Sequence, residues 1–218
     1  MKKMVVLLTA VALFAAAGQA AAIPYTEIGD AGQTLAAAQA LPGGTTVVNG
    51  ALGNDADLFT FGWGGGSFYA NTVGTDLDSQ LFLFNSAGQG IQANDDGIAF
   101  AGPAYLQLAG LASGIYYLGI SSFDYDPRTA TGALMFQSHP YGPLYGPLDS
   151  DATLDHWAGQ RGNGGNYTIN FSTTSSSGEL GNENPTTDPN TPVPEPSTFL
   201  LFGAGLLGAG LLRKKLRS

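Results

Sequence analysis

The feature that most constrains this chain is a series of short aromatic-rich runs, five to eight residues long, each bounded by Gly, Asn or Asp. They read DLFTF (57–61), SFYANTV (67–73), LFLFN (81–85), AYLQLA (104–109), GIYYLGIS (114–121) and NYTINFS (166–172), with TTVVNG (45–50) opening the series. Such runs are too short for helices and are rich in residues that suit a pleated, half-buried surface. In the last of them Tyr167, Ile169 and Phe171 alternate with Thr168 and Asn170, giving one dry and one wet face. Asn85-Ser86-Ala87-Gly88 supplies turn chemistry between LFLF and GIQA, so these two form a hairpin. Only Thr34 to Leu41 (TLAAAQAL) has helical composition, for one or two turns at most. Seven or eight strands with frequent turn signals predict an all-β fold, a β-sandwich.

The series lies between two segments of different character. Lys2 and Lys3, an apolar run from Met4 to Ala17 and the small residues Gly18 to Ala22 have the three parts of a secretory signal. Residues 1–22 are therefore expected to be a signal peptide, cut after Ala22, with Ala20 as the alternative. Residues 23–171 are the expected β-sandwich ectodomain. Residues 172–197, rich in Ser, Thr and Pro, hold only Leu180 and Val193 as aliphatic residues and cannot offset their ordering entropy; they read as a disordered linker. Residues 198–218 read as one transmembrane helix with a basic end. The uncharged stretch from Phe199 to Leu212 would span about 21 Å at 1.5 Å per residue, short for a hydrocarbon core of about 30 Å. Snorkelling of Arg213 and Lys214 and local thinning would be needed to cross. Within the ectodomain, the Pro- and Gly-punctuated stretch 124–165 fits the strand pattern least and reads as a long insertion, a loop of about 40 residues.

Charge narrows the partners. All 17 acidic residues lie between Glu27 and Glu195, and only Arg128 and Arg161 stand among them. The exported part thus carries 17 negative charges against two positive, −15, with no lysine. Nucleic acid and anionic lipid are poor partners for such a surface, because phosphates need a basic face. Divalent cations suit it. There is no cysteine, so stability rests on the core or on bound metal.

Two resemblances add to this reading. The tail, with Pro194, Glu195 and Pro196 followed by the apolar stretch and Arg213-Lys214-Lys215, resembles a PEP-CTERM sorting signal, also catalogued as an ice-binding protein C-terminal domain. The resemblance implies export, transient anchoring in the inner membrane through the C-terminal helix, and processing by an exosortase near the Pro-Glu-Pro. It also implies a Gram-negative host that makes extracellular polysaccharide. The ice-binding name finds no echo in the strands, which lack a regular threonine array. The order NGALGNDADLFTF, DLDSQLFLFNSAGQGIQANDDG, LASGIYYLGIS resembles the bacterial pre-peptidase C-terminal domain, which implies a jelly-roll-like β-sandwich. Asn85 replaces that family's frequent Asp, and its regular spacing ends beyond Phe123.

This second resemblance implies calcium ligands at Glu27, Asp30, Asp55 and Asp57. Ca²⁺ takes six to eight oxygens, and Asp55 and Asp57, two apart, would share one face of an extended segment. The same four carboxylates also read as solvated loop residues and turn caps. Asn94-Asp95-Asp96-Gly97 reads as structural, closing a hairpin with side chains that satisfy turn backbone, and Asp76 and Asp78 read the same way. For catalysis the chain offers His139 and His156, both in the insertion, and neither a G-x-S-x-G nor an H-E-x-x-H context. Acids abound, but nothing selects a pair for glycoside hydrolysis. The expectation is a non-enzymatic binding or structural protein of the cell surface or extracellular matrix, with a carbohydrate-active enzyme or polysaccharide-targeting module as the alternative. Trp63, Tyr141, Tyr145 and Trp157 are candidates for stacking on sugar rings of an extracellular polysaccharide. Alternatively, Trp63 and Trp157 cap the ends of the sandwich core.

Overall fold

In a computed structural model of the chain, residues 23–73, 77–97 and 103–172 are described. The expected signal peptide, all of the linker beyond Ser172, the Pro-Glu-Pro and the C-terminal helix lie outside the described residues. Each expected strand is present, shifted by no more than a residue or two. In chain order the elements are β1 (Pro24–Thr26), β2 (Gln39–Ala40), β3 (Val47–Leu52), β4 (Asp57–Trp63), β5 (Gly66–Thr72) and β6 (Ser79–Asn85). They continue with β7 (Gly90–Asn94), β8 (Tyr105–Leu111), β9 (Gly114–Ser122), β10 (Tyr125–Arg128), β11 (His156–Gly159) and β12 (Gly165–Phe171). No helix occurs among the described residues.

The strands make two five-stranded sheets, ordered β1-β3-β12-β5-β8 and β2-β4-β9-β6-β7, and a two-stranded ribbon β10-β11. From β1 to β9 the chain changes sheet at every step except between β6 and β7. Period-two alternation then decides what meets between the sheets. Val48, Phe68, Leu106, Ile169 and Phe171 from one sheet pack on Phe59, Phe61, Leu83, Leu118 and Ile120 from the other. The rings of Phe61 and Phe68 stack at 5.7 Å across this core.

The hairpin expected at Asn85 to Gly88 forms as read. Asn85 Oδ1 accepts the amides of Ala87 (2.9 Å) and Gln89 (3.0 Å), and β6 pairs antiparallel with β7. The helical reading of Thr34 to Leu41 is corrected. A single turn closes from the Ala37 amide to the Thr34 carbonyl at 3.0 Å, and Gln39–Ala40 then run as a strand parallel to β4. One turn cannot repay helix nucleation, Pro42 disfavours a helical Leu41 before it, and burial of Leu41 between the sheets favours the strand.

The 124–165 insertion is also corrected: it is not a loop but a third layer. β6 is buried on both faces, with Leu81 and Leu83 turned into the sandwich and Phe82 and Phe84 turned outward. The insertion covers that outward face with Tyr125, Met135, Phe136, Leu154 and Trp157. Glycines let it approach. A Cβ on Gly119 would sit 3.1 Å from the Trp157 ring, and one on Gly90 would sit 2.6 Å from Phe136. The insertion also pairs with the free edge of β7, where Ala93 and Tyr145 exchange backbone hydrogen bonds of 2.8 and 2.9 Å. An exposed edge strand is thereby covered.

Candidate functional site

Asp57 opens β4 in register with Phe59 and Phe61, so the pleat turns its carboxylate toward the inside of the sandwich. It is 1% exposed. From the facing sheet the hydroxyl of Tyr167 donates to Asp57 Oδ2 at 2.7 Å and reaches Glu27 Oε2 at 3.4 Å. Glu27, just past β1, is held at both oxygens: Oε1 accepts the Ala31 amide (2.8 Å) and Oε2 the Ala51 amide (2.9 Å). Gly50 is needed beneath them, since a Cβ there would strike both the Tyr167 hydroxyl and Glu27 Oε2. Asp30 Oδ1 accepts the Gly32 amide at 3.1 Å. Ligand oxygens of Glu27, Asp30 and Asp57 lie within 4.8 Å of one another.

Asp55 does not join this group of three. The extended backbone begins only at Asp57, so the two-residue spacing does not align Asp55 with it. Burial, and then the nearby Asp30, raise the Asp55 pKa, while Arg161 pulls it down. For Asp57, burial pushes the pKa up to about 7; the Tyr167 hydrogen bond opposes this, and the charges of Glu27, Asp55 and Asp30 add to it. Burial and the neighbouring Asp57 push the Tyr167 hydroxyl well above its ordinary range, so it remains a donor. Two acids gathered around a third, buried carboxylate, with no basic side chain bonded to them among the described residues, can accept a cation or a proton.

Tyr167 was missed in the sequence because nothing in NYTINFS distinguishes it from a core tyrosine. It meets Asp57 only across the sandwich, 110 positions away. A second acidic group was also missed: ligand oxygens of Asp78, Asp95 and Asp96 lie within 4.8 Å of one another. The doubled acid ending a strand was its one visible sign. Burial, then Asp96, Asp78, Asp126 and Asp124, push the Asp95 carboxyl up to about 8.

The aromatic candidates divide. Trp63 and Trp157 are 6% and 5% exposed and are corrected as sugar platforms. Trp63 packs edge-on to Phe68 inside the sandwich at 5.5 Å. Trp157 stacks on Tyr125 in the third layer, and its Nε1 donates to the Gln33 carbonyl at 2.8 Å. Both are large apolar rings with more to gain from burial than from water. Tyr141 and Tyr145 are half-buried; Tyr145 donates to the Pro140 carbonyl at 2.7 Å, and Tyr141 packs edge-on to Phe123 at 5.3 Å. His156 pairs with Asp155 at 2.9 Å on the surface, and His139 lies beside Tyr141.

The described residues define an all-β module of two sheets in which carboxylates converge at two places. Comparison with known proteins adds the delivery signal: residues 192–215 match the PEP-CTERM protein-sorting motif, and they include Pro194, Glu195 and Pro196. The motif implies an exported chain, anchored by its tail before an exosortase recognises and processes it. Among solved structures, the fold is similar to the pre-peptidase C-terminal domain of collagenase from Bacillus anthracis. That match has 12% identity, covers 62% of this chain and 93% of that one, and has a TM-score of 0.35. No curated protein matches the chain.

Proposed function

We propose that this is an exported, exosortase-processed protein of the cell surface or extracellular matrix of a Gram-negative bacterium, whose jelly-roll-like sandwich is a non-enzymatic binding or structural module. The sorting motif at residues 192–215 supports the delivery in this reading. Calcium belongs to the same proposal: Glu27, Asp30 and Asp57 would hold it, with Asp55 outside the set. Their geometry fits a hard cation, since each carboxylate keeps lone pairs beyond those its amide or hydroxyl donors occupy. Tyr167 and the Ala31 and Ala51 amides would position the carboxylates from behind.

Mass spectrometry of the protein recovered from the surface or medium of an exosortase-bearing host tests the delivery. The mature chain is expected to end near Pro194 to Pro196. Peptides containing Leu206 to Leu212 in the extracellular fraction would overturn it.

A further inference from the structure

Asp78 stands on the approach to β6, and Asp95 and Asp96 follow β7, so β6–β7 pairing brings the three carboxylates together. Oxygens on one Ca²⁺, each at about 2.4 Å, stand no more than about 4.8 Å apart; these three groups meet that limit. The decisive feature is Asp95. It is 7% exposed, and its Oδ1 is buried with no hydrogen-bond partner among the described residues. A turn cap would have its oxygens on amides, as Asn85 does in the neighbouring hairpin. An ionised carboxylate buried without donors and beside a second buried carboxylate is costly.

Neither arginine among the described residues answers it. Arg128 reaches Asp126 at 3.7 Å, and Arg161 lies over the Tyr125 ring at 5.0 Å. Asp124 and Asp126 add further negative potential to Asp95 rather than relieving it. The backbone that carries Asp95 and Asp96 is meanwhile held against the insertion. The Asp96 amide donates to the Tyr141 carbonyl at 3.2 Å, and Asn94 Nδ2 donates to the carbonyls of Gly142 and Pro143 at 3.1 Å each.

We propose that Asp78, Asp95 and Asp96 form a second divalent-cation site, suited to Ca²⁺, at the open end of the β6–β7 hairpin. Three carboxylates supply at most about six of the six to eight oxygens that Ca²⁺ takes, and water supplies the rest. Mg²⁺ suits it poorly, because it dehydrates reluctantly and demands octahedral geometry.

Equilibrium dialysis of the full-length chain against ⁴⁵Ca²⁺ reads the two acidic groups separately. Asp95→Asn and Asp78→Asn should each remove one bound ion per chain, and Asp57→Asn should leave that ion in place. Failure of calcium at Glu27, Asp30 and Asp57 would show as an unchanged count in Asp57→Asn, which leaves this second site untouched. Melting in chelator separates lost binding from lost folding: Asp95→Asn should melt at or above the wild-type temperature, because it removes an ionisable group from a place that offers it no donor. Asp78 is exposed, so its variant reads the site even if a change at Asp95 perturbs the turn. An unchanged ion count in both variants would overturn the site, as would Mg²⁺ displacing Ca²⁺ at equal concentration.

Discussion

At the residue scale, one tyrosine settles how a carboxylate is tolerated inside a hydrophobic sandwich. Tyr167 donates a hydrogen bond of 2.7 Å to the Asp57 carboxylate, and Gly50 leaves room for that bond to form. Tyr167→Phe removes the donor and keeps the ring, so the cost should be that of an unsatisfied buried acceptor, roughly 1–3 kcal/mol. Chemical denaturation in chelator checks it. Gly50→Ala should cost at least as much, although position 50 faces no apolar neighbour in want of a methyl group. Acidity follows the same geometry. The folded pKa of Asp57 is about 7 against an ordinary 3.8, so between those values the native state holds the proton more tightly than the unfolded chain. Stability of the metal-free protein should therefore be greatest near pH 4 and fall as pH rises through 7. Asp57→Asn should flatten that decline, leaving the part due to Asp95, whose pKa is raised to about 8. A wild-type melting temperature that climbs from pH 4 to 7 in chelator would contradict the assignment.

At the scale of elements, the insertion is a covering layer rather than a loop, and Trp157 is its anchor. It touches Phe82, Phe84 and Tyr125 and reaches back to Gln33. Trp157→Ala should cost about 3–5 kcal/mol, the usual range for a buried large-to-small change. It should also expose Phe82 and Phe84, so a hydrophobic dye should bind the variant under native conditions and ignore the wild type. This element also marks how far the sequence could be read. The strands were legible because each carries its own period-two signal, and the Asn85 turn because its chemistry is local. NYTINFS even indicates which residues face inward. What LFLF does not indicate is that both of its faces are buried, since a run apolar on both sides looks the same whatever covers it. The covering layer is built from scattered residues, Tyr125, Phe136, Leu154 and Trp157, among prolines and glycines with no shared period. At the acidic site the limits were similar. Glu27, Asp30 and Asp57 were visible as acids on neighbouring segments, whereas the displacement of Asp55 depended on where β4 begins. Asp95 looked like a turn residue because its burial is imposed by the distant insertion.

At the scale of the whole molecule, the exported part carries 17 acids against two arginines, and this excess makes two different responses to cations possible. A built site discriminates between ions and binds only the folded state; an acidic surface is merely screened. If Glu27, Asp30 and Asp57 hold Ca²⁺, the melting temperature must rise with its concentration, because binding to the native state alone stabilises by about 2.7 kcal/mol at 100 times the dissociation constant. Mg²⁺ should do much less. Asp57→Asn should remove most of the rise caused at this first site, and Asp188→Asn, in the Pro-rich segment, should leave it intact. Ionic strength separates the alternatives further. At 0.15 M the Debye length is about 8 Å, so general repulsion between exposed carboxylates is already damped, while ligands within 4.8 Å of one another in a partly buried site are not. The Ca²⁺-induced rise should therefore persist in 0.15 M KCl. Weak stabilisation, equal for Ca²⁺ and Mg²⁺ and lost in that salt, would mean that the ions only screen the surface, and the three carboxylates would then be structural groups held by Tyr167 and the backbone amides.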